Sequence, residues 1–459
     1  MKTLQRTQSI CPTCNKPLEA DYVEDGGKVF LRKTCVEHGD FESYIAEFEK
    51  DFINWMAHPV INVPPKKALT DGAIDSQCPL HCGTCKNHMQ TACCVLIDVT
   101  ERCNQHCPYC FAKSEEDGAD EPDLKELERK YDLLLELGEE RPFNIQLSGG
   151  EPTVREDLPQ IIKMGQDKGF DYIQINTTGK RLALEEGYAE ILKQAGATVI
   201  FLQFDGTDDR IYEALRGEPL LEIKMKAIEN CRKARLPVTL VPTIVKNVNL
   251  DHLGSIMEFL LKNIDVVKGI HFQPVSFFGR HPDKSSAKDG KRRDFENRVT
   301  MFDVMHDLER QTDGKFKYED FCPITTGHTL CCFYGTYRKQ KDGSVKSLIS
   351  DETKAAGVSC CDTATPLDII KKDRNFVLNK WDLPKQESPC CCEPEVMDFD
   401  QFLRDIKSNM FTVSAMAFQD ISNLDAERLK RCRVQVMSAD DRLIPFCAYN
   451  SMYRRGVNE

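Results

Sequence analysis

The chain has 459 residues, room for two or three domains and at least one large core. Its net charge of −12 excludes bulk nucleic-acid binding through phosphate neutralisation, and no apolar run reaches the roughly 18 residues of a spanning helix. Its 22 cysteines are grouped at short spacings, and Met1–Gln8 lacks the apolar core of a signal peptide. These features predict a cytoplasmic, oxygen-sensitive metalloprotein in preference to a disulfide scaffold.

Three regions follow along the chain. The first, residues 1–91, opens with Cys11-Pro-Thr-Cys14, and Cys35-Val-Glu-His38 follows. Between them Lys28–Lys33 reads as a strand after the turn residues Asp25-Gly26-Gly27. Two ligand pairs on turns held by a hairpin predict a mononuclear metal knuckle for zinc or thiolate iron. His38 is the candidate fourth ligand, though a cysteine from elsewhere could take its place. Val63-Pro64-Pro65-Lys66-Lys67 reads as a linker. Beyond it, Cys78, Cys82 and Cys85 stand at Cys-x3-Cys-x2-Cys spacing, which suits an auxiliary cubane cluster. Cys93 and Cys94 could add a ligand or simply enter a buried strand.

The second region, 92–310, alternates strands and helices. The predicted strands are Val95–Thr100, Asn144–Ser148, Tyr172–Asn176, Val199–Phe204, Val238–Val245 and Gly269–Val275. Helices are predicted over Leu124–Leu137, Leu158–Lys168, Glu186–Gln194 and Leu221–Ala234. Repeated βα units predict a parallel sheet. Six of them fit an α/β fold of the partial (β/α)6 TIM type, with the chemistry at the carboxyl ends of the strands.

Each predicted strand end carries a polar motif. After the first, Cys103, Cys107 and Cys110 repeat the Cys-x3-Cys-x2-Cys spacing, with Tyr109 between. Three thiolates on a [4Fe–4S] cube leave one iron open to a substrate or cofactor, which marks a reaction centre. After the second comes Ser148-Gly149-Gly150-Glu151-Pro152, whose glycines let a ligand lie against backbone and whose Glu151 could bind an amine. Asn176-Thr177-Thr178-Gly179, Gln203-Phe204-Asp205-Gly206 with Arg216, Thr243 with Asn247, and Gln273-Pro274 with Arg280 complete the ring.

The third region, 311–459, is predicted to be a loop-rich, metal-stapled domain. It holds Cys322, Cys331, Cys332, Cys360, Cys361, Cys390, Cys391, Cys392, Cys432 and Cys447. A hairpin is predicted around Asp342-Gly343. A helix over Ala426–Cys432 precedes a strand pair joined by Asp440-Asp441.

The triplet Cys103, Cys107 and Cys110 with Tyr109, followed one unit later by Gly149-Gly150-Glu151-Pro152, resembles the radical S-adenosylmethionine superfamily. The resemblance implies that S-adenosylmethionine chelates the open iron and is cleaved reductively to a 5′-deoxyadenosyl radical that takes hydrogen from an unactivated carbon. Gly149, Gly150 and Glu151 would hold the methionine amine, Asn176 and Thr178 the ribose or carboxylate, and Tyr109 would pack near adenine. Gln273 belongs to the same cofactor-facing ring. A reducing donor such as ferredoxin or flavodoxin is implied as partner.

Over nearly its whole length the chain also resembles the tetraether synthase group, whose relatives were earlier described as pterin-precursor methyltransferases. The shared order runs from Cys11 and Cys14 through Cys35-Val-Glu-His38 and Cys78–Cys85 to Arg431-Cys432 and Ile444-Pro445-Phe446-Cys447. That resemblance implies one or two auxiliary [4Fe–4S] clusters, with Cys432 and Cys447 joined by Cys322 and by Cys331 or Cys332. It also implies carbon–carbon bond formation on lipid chains, with peripheral membrane contact. C-methylation of a pterin-like molecule, peptide modification and a non-enzymatic electron carrier are the alternatives. A long apolar channel, with Phe277, Phe278 and Phe411–Phe418 as candidate lining, would favour lipid. A compact polar pocket would favour pterin.

Overall fold

The computed structural model describes residues 1–67, 78–116, 121–138, 143–282, 297–349 and 408–454. Cys360, Cys361, Cys390, Cys391 and Cys392 lie outside the described residues.

The N-terminal region is a four-stranded antiparallel meander where the sequence suggested a hairpin. Its strands β1 (Lys2–Ile10), β2 (Pro17–Asp25), β3 (Lys28–Cys35) and β4 (Gly39–Ala46) pair in chain order. Charged side chains dominate its open face, while Tyr22, Val29 and Leu31 are buried against the helix Glu49–Met56 and the main core. The meander docks on residues 421–425 through buried polar contacts. Thr7 and Tyr22 donate to the Asp425 carboxylate at 2.6 Å each, and Lys33 donates to the Ile421 carbonyl at 3.3 Å.

The second region carries the predicted parallel strands. They are β5 (Cys94–Thr100), β6 (Asn144–Gly149), β7 (Ile173–Thr177), β8 (Val199–Gln203), β9 (Val238–Val241) with its short continuation β10 (Thr243–Ile244), and β11 (Val267–Pro274). Pro242, with no N–H to give a ladder, separates β9 from β10. The six parallel strands lie side by side in chain order with no reversal, so the sheet is singly wound. It also curls. Arg280, beyond β11, exchanges backbone hydrogen bonds of 2.9 Å with Cys110, beyond β5, and Phe278 packs with Leu96 of β5. The result is an open partial barrel of the expected type.

The third region supplies strands to both edges of this sheet. β14 (Met410–Met416) runs parallel to β11, and β12 (Cys332–Lys339) and β13 (Val345–Ser347) follow antiparallel as the predicted hairpin. On the other edge β15 (Val434–Met437) runs parallel to β5 and pairs with β16 (Leu443–Pro445).

Strand alternation gives the barrel two unlike faces. Val95, Ile97, Ile145, Leu147, Ile173, Ile175, Ile200 and Leu202 are buried beneath the helices, in one core with Leu127, Ile161, Leu192 and Ala227. The alternate residues turn inward. Of these Asp98, Gln146, Asn176, Phe201, Gln203, His271 and Ser414 are only half-buried and line a lumen.

Candidate functional site

The loop after β5 carries Cys103, Cys107 and Cys110, and several arms clamp it. The Cys103 N–H donates to the Glu115 carbonyl at 3.0 Å, and Arg280 Nε donates to the Cys107 carbonyl at 2.8 Å. Arg216 is the deepest arm. Its guanidinium forks onto buried Asp205 at 2.7 and 2.8 Å, and donates to Thr243 Oγ1 at 2.8 Å, to the Tyr109 carbonyl at 3.1 Å and to the Cys107 thiol. Burial pushes the Cys103 thiol up to about 12 and raises Cys107, with Arg216 opposing the rise at Cys107. Three thiols gathered on one loop, Cys107 buried and Cys103 and Cys110 half-buried, suit ligands that ionise when iron binds.

Gly149 and Gly150 are required by packing of one loop on another. A Cβ on Gly149, whose φ is +118°, would lie 2.1 Å from the Thr100 carbonyl oxygen, and one on Gly150 would lie 2.1 Å from that of Arg102. The glycines thus press the loop after β6 against the root of the cysteine loop. Glu151 is fully buried and already occupied. It accepts from Thr153 N–H at 3.0 Å, Thr153 Oγ1 at 2.6 Å, Thr177 Oγ1 at 2.7 Å and Thr178 N–H at 2.6 Å. Its carboxylate therefore ties the end of β6 to the end of β7; Oε1 takes three of these bonds and Oε2 one, so Oε2 keeps acceptor capacity.

The remaining predicted cofactor residues ring the same mouth. Tyr109 packs against Ile211, Leu215, Val245 and Val275. Asn176 accepts from Gln174 at 2.7 Å, and Gln273 ends β11 beside Thr243. Two buried oxygens here, Thr178 Oγ1 and Gln105 Oε1, have no hydrogen-bond partner among the described residues. Such groups are rare unless a ligand meets them, so the donor set and these orphans together fit a cluster with a polar cofactor.

Lys224 and Asp98 escaped the sequence reading. Lys224 is fully buried beneath the mouth and donates to the Thr178 carbonyl at 2.5 Å and to Gln203 Oε1 at 2.7 Å, and burial pushes it down to about 7. Its signal was a lysine in an inward helical stripe with Ala227, Ile228 and Cys231. Asp98 is the one charge inside the apolar run Val95–Val99.

The N-terminal ligands converge as expected. Ligand atoms of Cys11, Cys14, Cys35 and His38 all lie within 4.8 Å of one another. His38 Nδ1 is 3.7 Å from Cys11 Sγ and 3.4 Å from Cys35 Sγ. The His38 contact lowers the Cys35 thiol pKa. Four ligands leave no open position, which fits a structural centre. Replacing Cys35 with serine should cut mononuclear metal from about one per chain to near zero and loosen the meander. Metal analysis beside limited proteolysis reads both, and retention of the metal would contradict the assignment.

Apart from Cys231, buried on the outer helix Leu221–Lys233, the other described cysteines lie near the seam between the sheet edges. Cys78 and Cys82 hydrogen-bond each other, and Cys85 and Cys432 stand close enough to raise the Cys82 thiol further. Cys82 and Cys447 share an apolar cluster with Ile10, Leu424 and Ile444. Burial raises Cys432 well above the usual thiol range and Cys447 to about 12, and for both, the neighbouring Cys331 adds to the rise. Cys331 thus joins Cys432 and Cys447, with Arg428 beside it. Cys332 lies beside Cys331, Cys93 and Cys322. Cys94 is buried in β5.

Comparison with known proteins agrees with this geometry. Residues 97–260 match the radical SAM superfamily, and residues 3–47 match the HMPTM N-terminal zinc ribbon domain. The chain is 34% identical to the 7,8-dihydro-6-hydroxymethylpterin dimethyltransferase of Methanocaldococcus jannaschii, over 99% of this chain and 95% of the relative. A probable GTP 3′,8-cyclase of Pyrococcus abyssi is 30% identical over 36% of this chain and 51% of its own length. Streptococcus suis SuiB bound to S-adenosylmethionine superposes on 50% of this chain and 47% of its own, with 15% identity and a TM-score of 0.37.

Proposed function

The chain belongs to the radical SAM superfamily, in one family with that pterin dimethyltransferase, and from this premise we propose that it transfers methyl groups to carbon on a pterin-like small molecule. When bound at Cys103, Cys107 and Cys110, the cluster and S-adenosylmethionine supply reductive cleavage and a 5′-deoxyadenosyl radical able to take hydrogen from an unactivated carbon.

The protein's own part is to hold, orient and shield. Arg216 and Arg280 fix the cysteine loop, and Glu151 fixes the strand ends around the cofactor. Thr178 Oγ1 and Gln105 Oε1 offer unspent hydrogen-bonding capacity to its ribose or carboxylate, and Lys224 braces the Thr178 carbonyl from beneath. The apolar packing around Tyr109 supplies a dry wall.

The observation that carries the substrate class is the polar lumen. Asp98, Gln146, Asn176, Gln203, His271 and Ser414 all face it. Most of these groups already pair with neighbours, as His271 with Ser414 at 2.9 Å and Gln203 with Lys224 at 2.7 Å, but Asp98 Oδ1 has no partner among the described residues. A methylene chain laid against it would leave it unpaired, at about 1–3 kcal/mol. A heterocycle edged with N–H, C=O and ring nitrogens would satisfy it and match the polar wall around it. Phe411, Val413 and Ala415, proposed above as lipid lining, are buried on the opposite face in the outer core, while Thr412, Ser414 and Met416 face inward. No described helix is long and apolar enough to cross a membrane. A low-potential donor such as ferredoxin or flavodoxin in the cytoplasm completes the proposal, with Cys331, Cys432 and Cys447, and Cys78, Cys82 and Cys85, as auxiliary cluster ligands.

The test uses the reconstituted chain under anaerobic conditions with dithionite and S-adenosylmethionine. Adding 6-hydroxymethyl-7,8-dihydropterin should raise 5′-deoxyadenosine several-fold and, with a methyl donor supplied (a further S-adenosylmethionine or a one-carbon-loaded reduced pterin), yield a pterin heavier by one or two methyl groups. A chain that makes 5′-deoxyadenosine yet leaves the pterin unchanged, and responds instead to long-chain lipid, would overturn the proposal.

A further inference from the structure

We propose that Asp98 is the substrate-recognition carboxylate of the lumen, taking the paired N–H donors of an amino-pyrimidinone edge. This deepens the pterin reading and rests on it.

Asp98 faces inward from β5, just below the loop that carries the cysteine triplet. One carboxylate oxygen, Oδ2, lies 2.9 Å from Arg454 Nη2. The other, Oδ1, is buried and has no hydrogen-bond partner among the described residues. Arg454 is itself fixed. Its Nε donates to Asn450 Oδ1 at 2.8 Å, and its guanidinium lies 5.0 Å from the Tyr449 ring centre and 5.5 Å from that of Phe111. The contact is an ion pair without hydrogen-bond alignment, Arg454 Nη2 having no hydrogen-bond partner among the described residues, so both oxygens of the Asp98 carboxylate keep acceptor capacity. A buried carboxylate oxygen without a donor is costly, and the cost is recovered when a ligand brings one.

The neighbours suit the rest of such a ligand. Ladder register sets Asp98 opposite Ser148 on β6, and Asn176 opposite Phe201 on β8. An amino-pyrimidinone edge presents two N–H donors beside one carbonyl. A carboxylate matches the first two in bidentate fashion, and a neighbouring amide or hydroxyl matches the third. Phe201 is half-buried in the same wall, with its ring centre 6.0 Å from that of His271, and provides an aromatic surface for a flat heterocycle.

The experiment measures anaerobic equilibrium binding of two probes to the cluster-loaded chain. One is 6-hydroxymethyl-7,8-dihydropterin, and the other is its counterpart with oxygen in place of the 2-amino group. The wild-type chain should prefer the amino form by at least about 10-fold, and Asp98→Asn should bring that preference close to one. Equal binding of both probes by the wild type would overturn the assignment of Asp98 without touching the pterin reading. So would an undiminished preference in a folded, iron-loaded Asp98→Asn chain. Failure of the wild type to bind either probe would overturn the pterin reading and the assignment together. The wild-type comparison needs no variant, so it decides the matter even if Asp98→Asn does not fold.

Discussion

Replacing Cys107 with alanine should remove 5′-deoxyadenosine formation to background, a loss of at least on the order of 10³-fold, and release about four irons per chain. The size of the effect follows from geometry. Cys107 is the middle ligand of the triplet, its thiol contacts Arg216, and its carbonyl accepts from Arg280. Two thiolates on one loop cannot hold a cubane that already has an open corner. The backbone should survive, because Arg216 keeps its fork on Asp205 and its bond to the Tyr109 carbonyl. Iron analysis should therefore show loss confined to this site, with the N-terminal centre and the cysteines at the sheet seam still loaded. Product at wild-type rates from the alanine chain would rule out the cluster assignment.

Much of this arrangement was legible in the sequence, for physical reasons. The barrel strands each carry an apolar outward face, as Ile145 and Leu147 on β6 and Ile200 and Leu202 on β8, and are punctuated by turns, so their period and length were plain. The triplet and the glycine pair each follow a strand end, and topology alone brings such ends together. The N-terminal meander was harder. β1 reads Lys-Thr-Leu-Gln-Arg-Thr-Gln-Ser-Ile, polar at almost every position, because much of its burial is by hydrogen bonds such as Thr7 to Asp425. No hydrophobic period announces a strand of that kind.

Other residues were hidden by pairing. The roles of Gly149 and Gly150 depend on the Thr100 and Arg102 carbonyls, some 50 residues earlier, and Glu151 looked free because its four donors come partly from the next strand end. Cys331 and Cys332 are indistinguishable in a linear reading. The turn that ends at Cys331 and the strand that begins at Cys332 give them different neighbours.

Arg216→Met should be the most damaging change that leaves every cysteine in place. The Asp205 side chain is fully buried and that of Arg216 is 8% exposed, so removing the cation strands a carboxylate in a low-dielectric interior. Breaking such a pair costs about 3–5 kcal/mol, a large part of a domain's usual stability of roughly 5–15 kcal/mol. The same change frees the Tyr109 carbonyl, Thr243 Oγ1 and the Cys107 thiol at once. The cysteine loop should then lose iron more readily, and the reduced cluster's spectroscopic signature should change. Arg216→Lys should recover little, since one ammonium cannot fork onto Asp205 while reaching the loop carbonyl. Asp205→Asn combined with Arg216→Met should cost less than the sum of the two single changes, because the second removes the charge that the first left stranded. Denaturant unfolding and iron retention across the four chains read this coupling. Additive losses, or full iron retention in Arg216→Met, would show that the pair braces the barrel without holding the cluster loop.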